Sequence, residues 1–412
     1  MTDVNVEVED DGLGGGMKDG RPAGTPVLRR INRAAVLDAF RQSAPDPVRL
    51  AELTRMTALT RPTVTQAVED LLAAGWLQQH APEPSAVGRP ATRFSLNGRA
   101  APVLGLDVGP HTVAAGVADL AGERLGVVHR TVRRPGARQL LEVVDEAISE
   151  ALSAAVVSAD QIAAVTAATP GIVEATSGRV LFAPSVPGWS AIDLVDRMRQ
   201  RFTCPVMVDN DANLAALAVA HEHTGSGTLL AVHWGERLGA GVVIDGRLHR
   251  GAGAAGEIGF IRPVGDLPDD TGDGRGPLER AIGAEAITDL ARRYAAEHPE
   301  SSLGSLSTDP ATVFRAAADG DLCAHHVVDR IAFVFAQAIA PCVLVLSPHT
   351  MVISGGIARA GSVLRDAVAR HLDRLTLTSL NVELSGLAEE TVLTGALRMA
   401  LDEVWRSRLT VA

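Results

Sequence analysis

Four polar side chains follow directly on an apolar run in Val208-Asp209-Asn210-Asp211-Ala212-Asn213, and they are the part of the chain best suited to chemistry. Asp211 is the type of group that accepts the proton of a hydroxyl, and Asn210 can both donate to and accept from a polyol. Asn and Asp also favour turns and helix caps, so the same residues suit a purely structural role. The glycine-rich run from Gly235 to Gly241 downstream favours a cleft. In open α/β sheets ligands bind at the carboxyl ends of the strands, and this cluster is expected to sit there.

The elements that must position it read as an alternation. Val103 to Gly109 reads as a buried strand running into a tight turn, with Val113 to Asp119 as its hairpin partner. A helix is expected over Gln139 to Val156 and strands over Ile162 to Ala168, Ala231 to Trp234 and Val242 to Ile244. Long helices follow over Leu278 to His298 and Leu322 to Ala340, then a strand ending in Ser354-Gly355-Gly356 and a closing helix over Thr394 to Arg406. Strands alternating with helices predict an α/β sheet covered on its faces. No repeat of 20 to 50 residues is visible. At 412 residues, 46% of them hydrophobic and only 3% aromatic, the chain should form more than one domain with small-residue packing.

The net charge of −11 disguises an uneven distribution. Residues 1–24 carry six acids against Lys18 and Arg21, and with their glycine run they read as a disordered tail. Residues 25–99 carry ten arginines against six acids, a local excess of +4. In that basic segment a helix from Thr25 to Phe40, a short helix from Leu50 to Met56 and a third opening at Thr60, with Arg61-Pro62 in its first turn, read as a helix-turn-helix. Thr60, Arg61, Thr63 and Gln66 would face base edges in a DNA major groove, with Arg29, Arg30 and Arg33 available to phosphates. Trp76 to His80 and Thr92 to Leu96 read as a winged hairpin, whose tip Gly88-Arg89-Pro90 would bring Arg89 to phosphates or the minor groove. A helical interaction module that touches no DNA is the alternative. The acidic start is unlike a signal peptide, and no apolar run reaches membrane-spanning length, so a cytoplasmic protein without a membrane partner is expected. Cys204, Cys323 and Cys342 read as buried free thiols.

Taken together, Gly105-Leu106-Asp107-Val108-Gly109, Thr169-Pro170-Gly171-Ile172-Val173, Pro187-Gly188-Trp189, Asn210-Asp211-Ala212-Asn213, Gly239-Ala240-Gly241, Gly256-Glu257-Ile258-Gly259 and Ser354-Gly355-Gly356 resemble the ROK family of repressors and sugar kinases, in its regulator branch with a winged helix-turn-helix. The resemblance implies a two-lobed, actin-like and RNase-H-like body. The expected division is a tail over 1–24, a winged helix-turn-helix over 25–98, a small lobe over 101–209 joined by the helix at 390–412, and a large lobe over 210–389. The resemblance makes Asn210, Asp211, Glu257 and Glu279 the sugar-facing set.

Departures from the family's pattern separate regulator from kinase. The first nucleotide loop of the kinases resembles Asp-x-Gly-Gly-Thr, whereas Asp107-Val108-Gly109 continues here as Pro110-His111-Thr112. Pro110 has no N–H for a phosphate. Glu236 and Arg237 stand in the second phosphate loop where the family has Thr and Gly, although Arg237 could itself pair with phosphate. The family's zinc ligands are replaced by Phe260, Asp270, Gly272 and Pro277. No zinc is therefore expected, nor binding of ATP. The implied protein is a repressor of carbohydrate genes that binds a near-palindromic operator as a homodimer or homotetramer and responds to a sugar or sugar phosphate. The rival is an ATP-dependent sugar kinase, of hexose or N-acetylhexosamine, using Asp211 as base.

Overall fold

The computed structural model describes residues 24–81, 92–133, 136–223, 227–235, 237–264, 274–304, 309–387 and 390–411. Arg89, Glu236, Asp270 and Gly272 lie outside them. The chain divides into two units, one up to Ser95 together with the last residues from Leu409, and one from Leu96 to Arg408.

The first unit is a winged helix-turn-helix. Helix α1 (Gly24–Ser43) is followed by strand β1 (Val48–Arg49), α2 (Leu50–Thr57), α3 (Arg61–Ala73), β2 (Leu77–His80) and β3 (Arg93–Leu96). The strands form one sheet in the order β1-β3-β2. Val36, Phe40, Leu53, Val64, Val68 and Leu71 fill its core; Val64, Val68 and Leu71 are the inner stripe that helical spacing predicts for α3, whereas Val27, Leu28 and Ile31, apolar at helical spacing in α1, are exposed. Pro62 sits in the first turn of α3, where a missing N–H leaves no helix bond unmade.

The second unit holds two five-stranded sheets of one design. The first is built from β4 (Val103–Val108), β5 (Thr112–Ala118), β6 (Arg124–Thr131), β7 (Ala164–Thr169) and, after helix α4 (Ala137–Ala155), the short pair β8 (Ile172–Val173) and β9 (Val180–Phe182) and helix α5 (Leu194–Arg199), β10 (Val206–Asn210). Its order is β10-β7-β4-β5-β6. Helix α6 (Asp211–Glu222) leads to the second sheet, which comprises β11 (Thr228–Trp234), β12 (Leu238–Ile244), β13 (Arg247–His249), β14 (Thr350–Ser354) and β15 (Asn381–Leu384) in the order β13-β12-β11-β14-β15. In each sheet an antiparallel three-strand meander is extended by two parallel strands on the side of its first strand. This duplication of the RNase-H-like order is invisible as a sequence repeat.

Helices α7 (Pro277–Ile282), α8 (Ala284–Glu297), α9 (Pro310–Ala318), α10 (Leu322–Leu346) and α11 (Gly361–Leu372) belong with the second sheet, and α12 (Thr391–Val411) closes the chain. The single helix expected over Leu278 to His298 is broken in two at Gly283, whose ψ of 178° is not helical. Contrary to the expectation about apolar runs, α10 is long and apolar enough to cross a membrane; over half of its most apolar window is buried, and its inner face is the core of the second lobe around Ile331, Phe335 and Ile339. Its apolarity is therefore that of a core helix. Helix α12 packs on the first sheet: a side chain at Gly105 would collide with Leu397, and one at Gly116 would press on Leu393. Cys323 is buried, but Cys204 and Cys342 are only half-buried; all three are free thiols.

Candidate functional site

In the first unit, α2 and α3 are joined by the three residues Ala58, Leu59 and Thr60, with Ala58 in the left-handed region at φ 54°. Thr60, Arg61 and Gln66 are exposed at the start of α3 and Thr63 is half-buried, so the four expected base-reading side chains are brought to one helix end. Thr60 precedes the helix but its side chain caps no amide; its hydroxyl lies 2.8 Å from that of Thr63. Gln66 donates to Asp70 at 3.0 Å.

In the second unit the polar cluster sits where β10 becomes α6. Asn210 is the N-cap: its Oδ1 accepts from the amides of Ala212 (2.8 Å) and Asn213 (3.2 Å), and its Nδ2 donates to the Gly171 carbonyl at 2.8 Å. Its amide is thus committed to holding the helix start, which is the structural alternative that Asn and Asp chemistry left open. Asp209 is buried, accepts from the Asn213 side chain (2.9 Å), and on its other oxygen takes two bonds from Arg250, at 2.9 and 2.7 Å. Asp211 opens α6. Burial pushes its carboxyl upward, opposed by His233, its own helix amides and Arg237.

Glu257 and Glu279 complete the wall. Gly256, at φ 92°, lies so close to β12 that a Cβ would fall 1.7 Å from the Ala240 carbonyl oxygen. Only glycine can bring Glu257 to this place. The Glu257 carboxyl is pushed up to about 7 by burial and then by Asp211 and Glu279, against the pull of Arg237. Glu279 accepts from the amides of Leu238 (3.3 Å) and Gly276 (3.2 Å) and pairs with Arg237 at 3.3 Å, so it braces the wall as well as lining it. Asn210, Asp211, Glu257 and Glu279 surround one recess of about 50 Å³, with Phe182 and Phe260 among its other residues.

A larger cavity of about 540 Å³ adjoins it and shares Asp211 and Arg237. Asp107, Pro110, His129, Arg130 and His233 also line it. The loops expected to cradle phosphate spend amides on their own turns: Gly109 donates to Thr112 and Gly235 to Arg237, while Pro110 has no N–H. The Arg237 guanidinium donates to the Gly274 carbonyl at 3.0 Å besides pairing with Glu279, so it is held on the carboxylate side. His233 lies 3.2 Å from the Ser354 hydroxyl, and burial lowers its pKa. Asp107 is pushed up to about 7 by burial and then by Asp211.

These carboxyls give a pH signature of definite sign. A folded-state value raised to about 7 means that the folded chain keeps a proton the unfolded chain has released, so stability falls as pH rises from the ordinary carboxyl range through about 7. His233, with its lowered value, acts oppositely only below its ordinary value of 6.5. The thermal midpoint of the second unit should therefore rise as pH is lowered from about 8 to about 6.5, and Asp107→Asn should flatten that slope. Differential scanning calorimetry reads both; a midpoint that falls over this interval refutes the assignment.

A zinc site of the kind found in the family that the chain resembles does not fit these residues. Phe260 and Pro277 offer no donor atom, and among the described residues no three His, Cys, Asp or Glu side chains are grouped to hold a metal. Sequence reasoning missed Arg250, His233 and Phe182. Arg250 carries no local signal, because its partner lies on a different sheet; Phe182 had one, an apolar aromatic in a chain with few.

A model of the ROK family matches residues 103–403, and a model of the IclR helix-turn-helix domain matches residues 33–81. The glucokinase of Halalkalibacterium halodurans is 32% identical over 290 residues, which span 66% of this chain and 86% of that one. The xylose repressor of Caldicellulosiruptor bescii is 23% identical over 391 residues, 92% of this chain and 97% of the repressor. The crystal structure of a ROK family transcriptional regulator, a homolog of the E. coli MLC protein, matches the fold with a TM-score of 0.72 at 23% identity, over 93% of this chain and 100% of that one.

Proposed function

The chain belongs to the ROK family, and from that premise we propose that it is a sugar-responsive, DNA-binding transcriptional regulator, a repressor of carbohydrate genes acting in the cytoplasm. One observation carries the reading: a helix-turn-helix with Thr60, Arg61 and Gln66 exposed at the start of α3 precedes a body that keeps Asp211 and Glu257 in its recess but has Pro110 and a committed Arg237 at its phosphate loops. The similarity to the xylose repressor covers 92% of the chain and so runs through both units, whereas that to the glucokinase covers 66% of it.

Two copies of the chain present two recognition helices to a near-palindromic operator, with Arg61, Thr63 and Gln66 at base edges and Arg89 at the wing. The assembly is a homodimer or homotetramer. A sugar or sugar phosphate at Asp211, Glu257 and Glu279 favours one arrangement of the lobes, and it relieves repression only to the extent that it binds that arrangement better. Neither zinc nor ATP takes part. Selection of bound DNA from a random pool, with and without a panel of sugars, tests the reading; a pool with no enrichment sinks it. On the selected operator, Arg61→Ala should weaken binding about 5- to 150-fold, and log affinity should fall steeply with log salt. A coupled ADP-release assay across hexoses, with Asp211→Ala as control, tests the kinase alternative; robust turnover lost in the variant establishes it instead.

A further inference from the structure

Eight phenylalanines occur in the chain. Phe40, Phe94, Phe202, Phe314 and Phe335 are buried and Phe333 is half-buried, whereas Phe182 and Phe260 are 46% and 47% exposed. Both of the exposed rings line the recess that holds Asp211 and Glu257. A phenyl ring carries a large apolar area, and leaving two of them in water at the edge of one polar recess is the kind of exposure that marks a binding surface. Their backbones are fixed: Phe182 pairs with Ile172 in the two-stranded β8-β9 sheet, and the Phe260 amide donates to the Glu257 carbonyl at 3.2 Å.

The size of the recess decides what the rings meet. Its enclosed part is about 50 Å³, and the space between its lining residues out to solvent is about 530 Å³, so one pyranose can be seated at Asp211 and Glu257. Arg237, held by Glu279 and Gly274, lines it on the side shared with the larger cavity. A unit linked to a pyranose seated at Asp211 and Glu257 extends outward, past the exposed Phe182 and Phe260. The neighbouring rim residues Ile172 and Pro184 are also uncharged. Polar hydroxyls inward and an apolar C–H ring face outward is the polarity of a sugar ring seated on a phenyl.

We propose that the effector is an uncharged disaccharide or longer glycoside, one unit hydrogen-bonded at Asp211 and Glu257 and the next stacked on Phe182 and Phe260. This rests on the sugar-responsive reading above and names its ligand class. Isothermal titration of the full chain with matched pairs (glucose against cellobiose and maltose, xylose against xylobiose, N-acetylglucosamine against chitobiose) tests it. One disaccharide should bind at least about 10-fold more tightly than its own monosaccharide. Phe182→Ala and Phe260→Ala should each lower the ratio of disaccharide to monosaccharide affinity about 5-fold, about 1 kcal/mol for a lost aromatic contact. Both side chains are exposed, so unchanged melting midpoints will certify the variants. Equal affinity for the two members of every pair overturns the inference and leaves the sugar-responsive reading standing, as does an advantage that both variants retain. Binding of no saccharide at all overturns both.

Discussion

Replacing Arg250 with alanine should destabilise the second unit by about 3–5 kcal/mol, the range for removing one partner of a buried ion pair. Asp209 is buried at the end of β10, and one of its oxygens takes two N–H bonds from Arg250, at 2.9 and 2.7 Å. Its other oxygen is already occupied by the Asn213 side chain and the Asn210 amide. Without Arg250 a negative charge stays buried with half of its partners gone. Asp209 belongs to the first sheet and Arg250 follows β13 of the second, so the pair also ties the two sheets together. The Arg250 carbonyl accepts from Gly253 and Ala255, which places the loop leading to Glu257 on the same anchor. Saccharide affinity should therefore fall with stability. Equilibrium unfolding in urea, followed through the buried Trp189 and Trp234, reads the first effect. Asp209→Asn added to Arg250→Ala should recover much of the loss, because the unpaired charge is then gone. A single variant within 1 kcal/mol of the parent means the pair does not hold the site.

Gly256→Ala is the other change with a large expected effect. At φ 92° an L side chain costs about 1–2 kcal/mol, and overpacking against a fixed neighbour adds about 1–3. The neighbour is backbone: the new Cβ would lie 1.7 Å from the Ala240 carbonyl oxygen, while the Gly256 carbonyl accepts from the Ala240 amide at 2.8 Å. The loop cannot keep that bond and admit the methyl group. A loss of about 3 kcal/mol or more and at least a tenfold loss of saccharide affinity should follow, because Glu257 moves with its neighbour. Gly246→Ala is the control: φ is similar at 74° but nothing lies within 4 Å of the added Cβ, so about 1–2 kcal/mol and unchanged ligand affinity are expected. Equal effects from the two substitutions would show that strain at the residue, and not the approach to β12, governs the loop.

Much of this was legible in the residues. The stripe Val64, Val68 and Leu71 fixes which face of α3 is inward, and so exposes Arg61 and Gln66, since helical period alone orients side chains on one element. The abrupt change from apolar to polar at Asp209 marks a strand end on any reading of the pattern. Less was legible where one residue type serves two uses. Asn210 suits a polyol and a helix cap equally, and the backbone of α6 claimed it. The apolar α10 satisfies both a core and a membrane by composition, and only its burial separates them.

The sequence by itself determined that a basic helix-turn-helix precedes an α/β body, that Asp211 stands at a strand end, and that Pro110 cannot offer an amide to phosphate. Each of these is a property of residue type, local period or covalent structure. Only the tertiary structure decided that both sheets share one strand order, that Arg237 turns to Glu279, that Arg250 reaches Asp209 across 41 positions of chain, and that Phe182 and Phe260 line one recess. Those pairings join groups far apart in the chain, and packing of whole elements sets their distances, so no local propensity could announce them.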